Sequence, residues 1–129
     1  MADNLTDTAE ALALAWLSGE GTAPTRPTAP LMLRLVTASG SDSAAGTQVA
    51  NAGGSAYSPQ DANLNAAGTT NTAEIRFTNM PACTVVGGEL WDSAGTPVRV
   101  WWGPLAANKT VNLGDDFVIA AGDLDLSLG

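Results

Sequence analysis

The chain has 129 residues, 45% of them hydrophobic, and thirteen acidic against five basic side chains give it a formal net charge of -8. That length allows one domain, whose core buries roughly two-thirds of the surface exposed by the unfolded chain. The charge argues against nucleic acid and anionic membranes as partners, and the lack of histidine removes the commonest general base and metal ligand.

In chain order, the opening Met1-Ala2-Asp3-Asn4 lacks the basic start of an export signal, so synthesis in the cytoplasm is expected. Asp7 with Glu10 fits a capping-box helix start, with Thr6 as a rival cap. Strong helix formers follow up to Leu17, and Gly19 and Gly21 stop the helix. Leu5, Leu12 and Trp16 fall at helical spacing, beside Leu14 and Leu17, so the apolar side is wide enough to pack on a sheet or on neighbouring subunits. The apolar run Ala9 to Leu17 is interrupted by Glu10 and too short to span a bilayer. Pro24, Pro27 and Pro30 make the next stretch an extended connector, and residues 1–30 read as helix plus connector ahead of a single β-domain at 31–129.

Leu31 to Thr37 reads as the first strand, with Leu31, Leu33 and Leu35 on one face. Residues 38–72 are small and polar, with Val49, Tyr57 and Leu64 as their large apolar groups. Such a segment either wraps over the sheet or becomes ordered against another chain, and a short strand is expected near Ala56 to Gln60. Ala73 to Asn79 alternates, with Ile75 and Phe77 inward. Cys83 to Asp92 resumes the sheet, and Gly87-Gly88 marks a bulge or a close backbone approach.

Ser93 to Thr96 is turn chemistry inside an aromatic hairpin holding three of the four tryptophans, Trp91, Trp101 and Trp102. Strict alternation from Pro97 to Trp102 puts Trp102 with Val98 and Val100, as core. It puts Trp101 with Arg99 on the other face, where a subunit boundary or second sheet would cover it. Ala107 to Thr110 reads as a turn around Lys109, before strands at Thr110 to Leu113, Phe117 to Ala120 and Leu124 to Leu128. The fold expected is mainly β: an antiparallel sandwich or jelly-roll-like barrel preceded by one N-terminal helix.

Little here supports chemistry. Asp115, Asp116, Asp123 and Asp125 sit beside turns or alternate with leucines, as solvated carboxylates do. Cys83 is a lone thiol and reads as a small buried hydrophobe. No catalytic residue, cofactor site or metal site is assigned, and an enzyme is not expected. Leu5, Leu12, Trp16, Arg99 and Trp101 are the candidate subunit or partner contacts. The tryptophans offer a different use, stacking on sugar rings, which needs no titratable group.

The run Phe77-Thr78, Thr84-Val85-Val86-Gly87, Leu90-Trp91-Asp92, Trp101-Trp102-Gly103-Pro104-Leu105, Lys109 to Asp115 and Ile119 to Leu124 resembles a family of small virion proteins of tailed phages. Many of those phages infect actinobacteria; the proteins are often labelled tail-fibre-like and in some phages decorate the capsid. The resemblance implies a virion structural protein, with a trimeric capsid decoration protein seated on the major capsid protein as the favoured reading. A tail-associated adhesion module binding host glycans is the alternative.

Overall fold

The computed structural model describes residues 4–126. Strand β1 (Asn4–Leu5) leads directly into helix α1 (Asp7–Ser18). Thr6 is the cap: its hydroxyl oxygen accepts from the Ala9 amide at 3.1 Å, and Gly19 closes the far end at φ +67°. The Thr6 hydroxyl also donates to the Arg99 carbonyl at 2.8 Å, which pins the helix entry to the sheet.

The main sheet is built on β2 (Met32–Ala38), β6 (Cys83–Trp91) and β7 (Arg99–Val111), with β3 (Thr47–Gln48) and β4 (Gln60–Asp61) on the outer side of β2. All pairings are antiparallel, in the order β1-β7-β6-β2-β3, with β4 also paired to β2. Leu33, Leu90, Trp101 and Leu5 stand opposite one another across four strands, and this row faces the core. The neighbouring row, Arg34, Glu89 and Trp102, belongs to the opposite face. A second sheet, β5 (Ile75–Phe77) with β8 (Phe117–Ile119), supplies Ile75, Phe77 and Phe117 to the same core.

The hairpin departs from strict alternation. Leu90 pairs with Trp101 but Trp91 pairs with Arg99, so Val100 is an extra residue in β7. This bulge changes the phase of the strand. Trp101 therefore points into the core and Arg99 away from it, while Trp102 is half-buried on the outer face rather than in the core. A second register shift sets Leu105 to Asn108 against Val86 alone, which absorbs the turn-like residues into one long strand; Lys109 is paired with Val85, not in a turn. Gly87 also marks a close approach, since a Cβ there would lie 2.5 Å from the Gly103 carbonyl oxygen.

The polar segment wraps over the sheet. Strands β3 and β4 fold back onto β2, and between them the buried Tyr57 hydroxyl accepts from the Leu35 amide at 2.9 Å, filling a gap in the ladder. The strand expected at Ala56 to Gln60 falls instead at Gln60–Asp61, because the Asn51 side chain takes the Tyr57 amide (2.7 Å) and carbonyl (2.8 Å) that a neighbouring strand would use. The Tyr57 ring stacks on Phe77, centroids 5.8 Å apart, and Phe117 meets Phe77 edge-on. Near the C-terminus Leu124 and Leu126 are buried, but Asp125 makes an isolated bridge to Thr70 rather than a strand; the rest of the expected strand, to Leu128, lies outside the described residues.

Candidate functional site

Two depressions flank the helix entry, on opposite faces of the sheet. On the core side, α1, the proline connector and β7 enclose an apolar groove of about 420 Å³, with Leu5, Leu12, Trp16, Pro24, Pro27, Leu31 and Trp101 in its walls. The helix reaches the body through half-buried Ala9 and Leu12. The rest of its apolar surface faces outward: Leu14 is 68%, Trp16 67% and Leu17 71% exposed. The structure thus brings Leu5, Leu12, Trp16 and Trp101 to one groove. The indole Nε1 of Trp101 is buried without a hydrogen-bond partner among the described residues.

Arg99 is not part of that groove. It is buried on the outer face, where its guanidinium meets the Glu89 carboxylate at 3.2 Å and donates to the carbonyls of Ser41 and Asp42. Glu89 also accepts from the Gly46 amide at 2.8 Å and from Trp91 Nε1 at 3.2 Å. The pair therefore clamps the loop 39–46 onto the sheet. Trp91 is half-buried, and the Arg34 guanidinium lies 4.1 Å from its ring centroid. Asp42 Oδ1 accepts from Trp102 Nε1 at 2.7 Å, and the Asp42 carbonyl accepts from the Asp7 amide at the start of α1. Around these groups lies a mixed depression of about 440 Å³, lined by Asp7, Thr8, Asp42, Ser43, Trp91, Pro97 and Arg99 among others.

Asp92 organises the hairpin turn beside this depression. Its carboxylate accepts from the amides of Val98 (2.8 Å) and Thr28 (3.0 Å), tying the connector to the turn. Those amides hold its pKa below the ordinary carboxylate value. A carboxyl with a lowered folded pKa adds stability above its unfolded value of about 3.9 and loses it as pH falls through the folded one. Thermal unfolding is accordingly expected to show an acid limb below about pH 4 that is shallower in Asp92→Asn; identical pH profiles would refute this role.

The described residues contain no group of three or more histidine, cysteine or acidic side chains that could hold a metal. Asp116 pairs with Arg76 at 2.9 Å. Cys83 is half-buried, and desolvation pushes its thiol pKa up, which suits packing rather than nucleophilic attack. No helix among the described residues is long and apolar enough to cross a membrane.

Residues 4–127 match the model of a family described as podophage GP4 fiber I protein gp80. The chain belongs to this family. No curated protein and no solved structure matches it. Members of the gp80 fibre family are phage structural proteins, so this chain is a virion component without enzymatic activity. Helical spacing picks out Leu12 and Trp16; Leu5, expected on the same helix, lies instead in strand β1 ahead of the Thr6 cap, and Trp101 stands out through the aromatic hairpin. Sequence patterning misses the clamp, because Glu89 sits in a run of apolar and glycine residues with no signal that a charge there is buried and paired.

Proposed function

We propose that this gp80-family chain is a structural element of the phage tail fibre, and that copies of it associate through α1. The fibre family match over residues 4–127 carries the reading and favours the tail over the capsid shell. The manner of association rests on the helix. Glu10, Leu14 and Leu17 lie along one exposed face, and the groove of the same chain is apolar with Arg26 in its lining. A second copy's ridge suits that groove in apolar character and in charge, Glu10 on the ridge matching Arg26 in the lining. Because ridge and groove are different surfaces, repetition of the contact gives a closed ring or an open filament according to its rotation, and a closed trimer is the state we propose.

Gold-labelled antibody on purified virions, viewed by electron microscopy, tests the location: label at the tail supports the proposal, and label over the shell restores capsid decoration. In light scattering the purified chain is expected to run as three copies, and Leu14→Ser with Leu17→Ser to run as a folded monomer. A monomeric wild type overturns the association.

A further inference from the structure

We propose that the mixed depression on the outer face binds one ring of a neutral saccharide. This rests on the fibre reading, in that it names what such a fibre element would touch. The depression has two kinds of wall. Trp91 and Pro97 bring apolar groups to its lining, and Asp7, Thr8, Asp42 and Ser43 bring polar ones. A sugar ring carries the same division, with a C–H face that packs on an indole and a rim of hydroxyls that donate to carboxylates.

The site is held in shape before any ligand arrives. Trp91 is fixed by Arg34 against its ring and by Glu89 at Nε1, so its position costs no ordering on binding. Asp42 is fixed by Trp102 through Oδ1, which leaves Oδ2 as an acceptor, and its backbone is tied to both Arg99 and α1. Among the lining residues the charges disfavour acidic ligands: Arg99 is already matched by Glu89, and Asp7 and Asp42 repel a carboxylate or phosphate, while the Arg34 guanidinium lies on the Trp91 ring without lining the depression. A volume of about 440 Å³ accommodates a single ring with part of the next. Of the three hairpin tryptophans, Trp101 is taken by the core and Trp102 is not in the lining, so Trp91 is the one this depression presents.

The test is saturation-transfer NMR with the full chain against neutral di- and trisaccharides, their uronic-acid counterparts, and trilysine as a cationic peptide. Transfer to neutral sugars is expected, weakened about tenfold by Trp91→Ala and several-fold by Asp42→Asn. Asp42→Asn keeps the side-chain shape and the Trp102 bond, so it reports on the site even if Trp91→Ala fails to fold. Leu113→Ser, at an exposed position that lines neither depression, is expected to leave transfer unchanged. Transfer to no neutral sugar, preference for uronic acids or trilysine, or undiminished transfer in folded Asp42→Asn and Trp91→Ala overturns the proposal. Loss of sugar binding with antibody label still at the tail removes this site alone; binding with label over the shell removes the fibre reading alone.

Discussion

Glu89→Ala is expected to lower the free energy of unfolding by about 3–5 kcal/mol, read as a fall in the urea midpoint. The Glu89 and Arg99 side chains are 3% and 7% exposed, so removing the carboxylate leaves a guanidinium in the protein interior with only carbonyl partners. It also strips acceptors from the Gly46 amide and Trp91 Nε1. Breaking one side of a buried pair costs far more than the pair is worth, because the remaining charge stays desolvated. The double variant Glu89→Leu with Arg99→Leu is therefore expected to recover much of the loss. Glu89→Gln, which keeps one acceptor, should fall between wild type and Glu89→Ala. A shift below about 1 kcal/mol for Glu89→Ala would show the pair to be hydrated, as exposed pairs are. The same variant releases the loop 39–46, so saccharide transfer should drop with it even though Glu89 does not line the depression.

The hairpin shows where sequence patterning reaches its limit. Its two strands and turn are legible because β-branched and aromatic residues flank Ser93 to Thr96, and the helix is legible from its caps and spacing. The faces are not. One extra residue at Val100 exchanges the environments of Trp101 and Trp102, and nothing in Val98-Arg99-Val100-Trp101 announces a bulge. Bulges are selected by what lies opposite: here Leu90 and Leu33 need a core partner, and Glu89 needs Arg99 on its own face. The same holds for residues 38–72. Their composition predicts little burial, yet they are anchored by side-chain amides and one tyrosine hydroxyl, pairings that have no periodicity to read. For the candidate site the tryptophans are visible in the sequence, but Asp42, one of the polar lining residues, comes from a loop held in place by the clamp, Trp102 and the start of α1.

Asn71 is the other residue without a sequence signal, one asparagine among several in a run of small polar groups, and its replacement has the second large effect. It is 1% exposed and saturates its amide: Nδ2 donates to the carbonyls of Ala73 (2.8 Å) and Ala120 (3.0 Å), and Oδ1 accepts from the amides of Gly122 (3.1 Å) and Leu124 (2.9 Å). One side chain thus ties the end of the polar segment to the C-terminal turn that seats Leu124 and Leu126 in the core. In Asn71→Ala the Gly122 amide retains the residue-71 backbone carbonyl as acceptor and the Ala120 carbonyl retains the Asp123 amide as donor, but the Leu124 amide is left buried without its acceptor. At about 1–3 kcal/mol for a buried unsatisfied group, the loss is on the order of 2 kcal/mol. Asn71→Asp separates this account from simple cavity formation. The carboxylate keeps both amide donors but faces two carbonyls, which disfavours its charged form and raises its folded pKa above the unfolded value. Such a group adds stability below the unfolded pKa and loses it as pH rises through the folded one, so Asn71→Asp should gain stability relative to wild type on acidification. Hydrogen exchange is expected to show the matching local effect, with the amides of Gly122 to Leu126 losing protection first in both variants. Uniform loss of protection across the chain, or a pH response of Asn71→Asp parallel to wild type, would mean that Asn71 fills space rather than pinning the C-terminal turn.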